Sequence, residues 1–310
     1  MRSRNLRFTP RPLAALLAIA ALLVPAAGHQ SGTTGQIKIT LPQKEGSLKF
    51  AVIGDSGTGG SAQYEVAKRM AEAHALFPFE LVLMMGDNLY GSERPQDYEK
   101  KFERPYKPLL DAKVKFYASL GNHDDREQRM YKLFNMGGEL YYTFKAPEQD
   151  VRFFALESTY PDRRQMEWLE RELKSSGEDW KIVFFHHPIY SSGGRHGSSL
   201  DLRQRLEPLF IKYNVSAVLA GHEHFYERIK PQNGILYMTS GGAAKLREGN
   251  IRPNSPLTAK GFDDDNHFVL MEIEGDEMYF QAISRRGETV DSGSFRRRQP
   301  ETTSGGPAGR

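Results

Sequence analysis

Runs of four to seven apolar residues, each closed by glycine or polar residues, recur along this chain as LKFAVIGD, LVLMMGD, VKFYASLGNHD, VRFFALES, KIVFFHHP, VSAVLAGHEH and ILYMTSGG. A continuous apolar run of that length, without alternation, predicts a strand buried on both faces. Between these runs, residues 61–76, 162–174 and 198–213 place apolar side chains at helical spacing, as Trp168, Leu169 and Leu173 do within DRRQMEWLERELK. Towards the end, HFVLMEIEGDEMYFQAIS doubles back around Glu274-Gly275-Asp276, which predicts a hairpin. The pattern as a whole predicts one α/β domain of sheets with flanking helices over about residues 37–296.

The two ends break the pattern. Arg2, Arg4, Arg7 and Arg11 precede the apolar stretch LAALLAIAALLV (13–24), and Pro25-Ala26-Ala27-Gly28 follows it. That stretch falls short of the roughly 20 residues a membrane-spanning helix needs. Its order of basic, apolar and small residues predicts a signal peptide over 1–28, cut near Ala27 or Gly28. The mature protein is then expected to be periplasmic or extracellular, with no stable membrane anchor. Residues 29–36 read as a polar linker, and 297–310 as a disordered basic and polar tail.

Composition narrows the function classes. The 310 residues carry a formal charge of +3, with 39% hydrophobic and 26% charged residues, the profile of an ordinary globular protein. Without the four N-terminal arginines, 38 basic residues face 39 acidic ones. The body is near neutral and offers no broad basic face for nucleic acid. There is no cysteine. Disulfides and thiol-anchored lipid are therefore excluded despite predicted export, and stability rests on the core and on any bound metal.

The polar residues collect at strand ends. Five of the seven predicted strands finish on metal-capable side chains: Asp55, Asp87 with Asn88, Asn122-His123-Asp124, His186-His187, and His222-Glu223-His224. Sites in α/β sheets form in the crevice outside such carboxyl ends. Six of the nine histidines lie in or just after these stretches, His196 among them. Without thiolates, carboxylate, amide oxygen and imidazole together suit first-row divalent or trivalent ions. So many donors exceed the needs of one ion, whereas two ions could share a carboxylate and clamp a displacement at phosphorus. The rival Ser-His-Asp chemistry needs a G-x-S-x-G elbow, which the chain lacks. Gly54-Asp55-Ser56-Gly57-Thr58-Gly59-Gly60 is neither a G-x-G-x-x-G fingerprint nor a P-loop.

The motifs GD (54–55), GDNLY (86–90), GNHD (121–124), HHP (186–188) and GHEH (221–224), in that order, resemble the calcineurin-like metallophosphoesterases, over about residues 48–290. Within them the chain is most similar to the small, tartrate-resistant type of purple acid phosphatase. The resemblance implies a sandwich of two mixed β-sheets flanked by helices in α/β/β/α layers. Most of the superfamily begins with Asp-x-His, whose histidine binds metal; here that position is Gly57, and Tyr90 of G-D-x-x-Y supplies the phenolate that marks purple acid phosphatases. The implied ferric site is Asp55, Asp87, Tyr90 and His224. The implied divalent site (Fe, Zn or Mn) is Asp87, Asn122, His186 and His222, with Asp87 as the bridge. His123 and His196 match histidines that contact phosphate or leaving group. His187 is expected to be a packed histidine, and His29, His74 and His267 to be surface or structural.

The resemblance further implies an acid phosphatase acting on phosphate monoesters of small molecules or phosphoproteins, through attack by a metal-bound hydroxide, as a monomer. A phosphodiesterase or nucleotidase on the same scaffold is the alternative, because the motifs define the metal core better than the substrate pocket. The chain departs from the animal enzymes in lacking a long loop before the helix at 162–174, where only Thr159-Tyr160-Pro161 intervenes. Residues 36–48 leave no room for the extra N-terminal domain of the plant enzymes.

Overall fold

Each apolar run does pack on both faces, and the parity of its residues decides which face goes where. A computed structural model describes residues 35–146, 149–177 and 180–299. The expected signal peptide, most of the expected linker and the tail after Gln299 lie outside them. The strands are β1 (Leu48–Ile53), β2 (Leu81–Met85), β3 (Lys115–Ser119), β4 (Tyr142–Lys145), β5 (Val151–Ala155), β6 (Trp180–Phe185) and β7 (Ala217–Ala220). They continue as β8 (Tyr226–Ile229), β9 (Leu236–Ser240), β10 (Thr258–Phe262), β11 (His267–Glu274), β12 (Glu277–Ser284) and β13 (Thr289–Arg296). The helices are α1 (Ser61–Leu76), the short α2 (Pro95–Tyr98) and α3 (Lys107–Asp111), then α4 (Arg163–Ser175) and α5 (Leu200–Lys212).

Two mixed sheets result, six-stranded in the order β13-β12-β11-β1-β2-β3 and seven-stranded in the order β10-β8-β9-β7-β6-β5-β4. Phe50 and Val52 of β1, Leu83 of β2, Phe153 of β5, Ile182 and Phe184 of β6 and Leu219 of β7 fill the space between the sheets. The alternate residues Ala51, Ile53, Val82 and Met84 turn outward onto α1 through Val66, Met70 and Ala73. Phe154, Val183, Phe185 and Val218 turn outward from the other sheet onto Leu169 and Leu173 of α4 and Leu202, Leu206 and Phe210 of α5. Side chains alternate across a strand, so one run supplies both the inter-sheet core and the sheet–helix core. The layers are α/β/β/α, as the resemblance implies.

Four strands escape the apolar pattern. β4, β10 and β13 are edge strands with one flank open, and β13 (TVDSGSFR) is largely exposed. It forms because β12 offers a full ladder, from Glu277 opposite Arg296 to Ile283 opposite Thr289. The chain stays fastened just beyond it. Arg297 N donates to Asp276 O at 2.8 Å, and Arg298 Nη1 donates to Ile211 O at 2.8 Å, so these two residues of the expected tail lie against the body. Among the described residues no helix is long and apolar enough to cross a membrane.

Candidate metal centre

β1 and β2 run parallel to each other in one sheet and β6 and β7 in the other, and the turns that leave them meet at one end of the sandwich. These turns are sharp. Asp55, Asp87 and His222 have φ of 56°, 51° and 68°, left-handed values that cost a residue with a Cβ about 1–3 kcal/mol each. Strain at three strand ends that converge on one point marks a functional site rather than ordinary turns. Gly86, at φ +81°, could not carry a side chain either, since a Cβ would lie 2.7 Å from His186 Nδ1.

The floor is made of Asp55, Asp87 and His186, all fully buried. His186 Nε2 lies 3.3 Å from Asp87 Oδ1, 3.1 Å from Asn122 Oδ1 and 3.1 Å from His222 Nδ1. Its other nitrogen faces Met85 O at 2.8 Å, which orients the ring. On the other side, Tyr90 Oη donates to Asp55 Oδ1 at 3.0 Å and lies 3.4 Å from His224 Nε2, itself 3.3 Å from Asp55 Oδ1. All seven residues named from the sequence as ligands are thus brought together. Asp87 touches one group and faces Asp55 in the other. Ligand atoms of Asp55, Asp87 and His224 lie within 4.8 Å of one another, and so do those of His186, His187 and His222.

Tyr90 is where it is because residue 57 is glycine. A Cβ there would sit 2.6 Å from Leu89 Cα and overlap the Asn88 carbonyl. With no Cβ in the way, Tyr90 N donates to Gly57 O at 2.9 Å and the Asn88–Tyr90 turn lies flat on the β1 turn. The missing histidine and the added tyrosine are one steric event.

The electrostatics favour a cation. Burial, and then the charge of Asp87, holds the Asp55 carboxyl well above its usual range. Burial followed by Asp55 and Asp87 pushes the Tyr90 phenol up as well. Burial pulls His186 far down, His222 to about 2 and His224 to about 4, so these imidazoles are neutral and keep a lone pair to donate. Among the described residues, no lysine or arginine forms an ion pair with Asp55 or Asp87. Two enclosed carboxylates with no cationic partner, ringed by neutral imidazoles, fit a pair of metal ions.

His123 and His196 stand exposed at the mouth. The ring of His123 lies 4.9 Å from that of Tyr90, and the ring of His196 lies 4.3 Å from that of His222. His187 is closer in than expected, 4.4 Å from the His222 ring, with Nδ1 2.9 Å from Ser158 Oγ. Asn88 faces away from the centre and donates to Ser119 O at 2.8 Å. His74 packs on Phe79, and His267 is buried beside Ser240, both structural.

Three carboxylates, two inside the motifs and one just after the last, act as braces. Asp124 accepts from Gly121 N at 2.8 Å, Leu89 N at 3.0 Å and Asn88 N at 3.1 Å, binding two ligand-bearing turns together. Burial and the nearby Asp87 push it up to about 7. Glu223, buried between His222 and His224, accepts from Gly197 N at 2.6 Å, His196 N at 3.2 Å and Asn250 Nδ2 at 2.8 Å. Glu227 accepts from Ser192 N at 2.9 Å and Ser191 Oγ at 3.1 Å. The loop that carries His196 is therefore pinned from two sides.

The calcineurin-like phosphoesterase family matches residues 48–226 of this chain. Tartrate-resistant acid phosphatase type 5 of Rattus norvegicus is 26% identical over 331 residues, covering 91% of this chain and 97% of the relative. Among solved structures, GAP50, the anchor in the inner membrane complex of Plasmodium, superposes with a TM-score of 0.72 at 21% identity, covering 83% of this chain and 90% of that one. Purple acid phosphatase PPD1 from yellow lupin seeds superposes with a TM-score of 0.68 at 18% identity, covering 83% of this chain and 55% of that one. These two likenesses speak to the fold alone.

Proposed function

The chain belongs to the calcineurin-like phosphoesterase family, and from that premise we propose that it is an exported acid phosphatase hydrolysing phosphate monoesters at an Fe(III)–M(II) pair, M being iron, zinc or manganese. That it is a phosphoester hydrolase follows from the family and from relatives such as the rat acid phosphatase. The observation that carries the finer reading is the place of Tyr90 Oη, 3.0 Å from Asp55 Oδ1 and 3.4 Å from His224 Nε2, beside a Gly57 that has no room for a histidine.

In this reading Asp55, Asp87, Tyr90 and His224 would hold the ferric ion, and Asp87, Asn122, His186 and His222 the divalent one. Bound there, the pair supplies electrophilic activation of the phosphoryl group and the attacking oxygen. Tyr90, as phenolate, is a hard anionic donor that favours the trivalent ion. The neutral imidazoles need lose no proton to ligate. His123 and His196, open to solvent at the mouth, are placed to bind phosphate oxygens and to protonate the leaving alkoxide, which requires imidazolium and hence an acidic optimum. The basic, apolar and small-residue order of residues 1–28 supports export. Small phosphorylated molecules or phosphoproteins are the substrates in view.

The test is a visible spectrum of the iron-loaded protein before and after mild reduction, with metal content, and turnover of matched mono- and diesters across pH. A reducible purple band and monoester preference at acid pH are expected. Bound iron without colour would defeat the ferric-phenolate assignment, and diester preference the monoester one.

A further inference from the structure

The turn that carries Tyr90 has its upstream side braced by Asp124, which takes Asn88 N and Leu89 N, and by Gly57 O, which takes Tyr90 N. Beyond Tyr90 the chain runs through Gly91 and Ser92, both exposed and in neither helix nor strand. The brace on that side is a buried cation. Lys101 is only 7% exposed. Its Nζ donates to Tyr90 O at 2.8 Å and to Ser92 O at 2.6 Å, and lies 3.6 Å from Asp97 Oδ1. Asp97, buried as well, accepts from Ser92 Oγ at 2.8 Å and from Arg94 N at 3.0 Å. An ammonium has three donors, and here each has a partner, two of them backbone oxygens of the Tyr90 turn.

Lys101 reaches this point through an irregular helix. α2 runs on into a π-helical turn over Glu99–Glu103, where Arg104 N donates to Glu99 O at 2.9 Å across five residues. Single π turns are rare and gather at functional sites. The wider turn buries Lys101 and its neighbour Phe102 together, while Glu99 and Lys100 stay exposed. The Lys101 backbone is fixed from the other side by Gln63 of α1, itself fully buried. Gln63 Nε2 donates to Lys101 O, and Gln63 Oε1 accepts from Gly59 N at 2.7 Å. One side chain thus ties the Lys101 turn to the segment that leaves Asp55 and Gly57.

Energetics decide what the lysine is for. A buried ion pair is often no better for stability than apolar residues of the same volume, so the charge of Lys101 contributes little net stability. Its charge-assisted hydrogen bonds act on position instead. They fix the Tyr90 carbonyl, and with it the backbone from which the phenol reaches Asp55. We infer that Lys101 is a positioning residue for Tyr90, holding the phenol oxygen where a ferric ion needs it. This rests on the reading of Tyr90 as a metal ligand.

The test compares Lys101→Met, Lys101→Gln and Lys101→Arg with the parent. Lys100→Met, exposed on the same turn, is the control and should leave every readout unchanged. In metal-stripped Lys101→Met, the Tyr90 amide should exchange at least about tenfold faster as its bond to Gly57 O loosens. In loaded protein the same variant should hold ferric iron about 10–100-fold more weakly, the range for removing a group that orients a ligand. The divalent ion should be retained as in the parent, and the visible band should weaken or shift. Lys101→Arg keeps charge and donors and should recover part of the loss. Lys101→Gln, whose shorter amide cannot span both carbonyls, should behave like Lys101→Met, and decides the matter if the methionine variant does not fold. Unchanged exchange at Tyr90, or equal loss of both ions, would overturn the positioning role. A parent that binds iron without colour would refute the phenolate reading instead, and Tyr90 exchange in stripped protein would still judge Lys101.

Discussion

Replacing Gly57 with alanine adds one methyl group where the ligand-bearing turns lie closest. The new Cβ would start 2.6 Å from Leu89 Cα, with the Asn88 carbonyl nearer still. Ordinary carbon contact is about 3.5 Å, so the Asn88–Tyr90 turn must retreat by about 1 Å. That turn is held by Tyr90 N to Gly57 O at 2.9 Å and by Asn88 N and Leu89 N to Asp124 at 3.1 and 3.0 Å. Overpacking costs about 1–3 kcal/mol, and one or two weakened backbone bonds add about 1 kcal/mol each. The expected loss is therefore about 2–5 kcal/mol, and Tyr90 Oη moves off Asp55. Thermal and denaturant unfolding of metal-stripped protein measure the first effect, and iron retention with the visible band measures the second. Gly60→Ala is the control, since its Cβ would meet only Thr58 Oγ1 at 3.5 Å. The same geometry means that Gly57→His cannot rescue Tyr90→Phe by restoring an imidazole. The steric account fails if Gly57→Ala unfolds within about 1 kcal/mol of the parent with its band intact.

Tyr90→Phe keeps the ring, which packs 4.9 Å from that of His123, but removes the oxygen at 3.0 Å from Asp55. It should fold, lose the visible band and bind iron more weakly, and a band that survives would reassign the chromophore. Metal-stripped protein should lose stability as pH falls from about 6.5, the unfolded histidine value, towards 4. Burial holds His187, His224 and His267 at about 4 and His222 at about 2. These outnumber the raised Asp55 and Asp124, which act with the opposite sign, so over that window the unfolded chain binds more protons than the folded one. Each such group contributes a slope of up to about 1.4 kcal/mol per pH unit. Denaturant titrations at several pH values, stripped and loaded, check this, and a flat stripped profile would contradict it. Glu223→Ala orphans His196 N, Gly197 N and Asn250 Nδ2, and should cost about 2–4 kcal/mol. Amide exchange of residues 193–198 should quicken in this variant, and unchanged protection there would remove Glu223 as the brace of that loop.

Seven strands, three long helices and the closing hairpin were legible because each must bury apolar side chains at its own period, and that period is a local property of the chain. The donors were legible for a related reason: a strand buried on both faces can end in a carboxylate or imidazole only where something at its end uses one. The runs ending at Asp55, Asp87, His186 and His222 therefore announced the centre before any fold was known. β4, β8, β10 and β13 were not legible. β13 exists because β12 presents an open ladder, and the buried Glu227 of β8 is satisfied by Ser191 and Ser192, 36 and 35 residues away in the chain.

What the sequence determined by itself is the kind of site and the set of donors, since burial pattern and ligand chemistry are carried by residue types. Only the tertiary structure decided that Gly57 is a requirement for Tyr90 rather than a gap. It also decided that Glu223 serves the His196 loop. Those facts are distances between turns far apart in the chain, and no local pattern encodes which turns will meet.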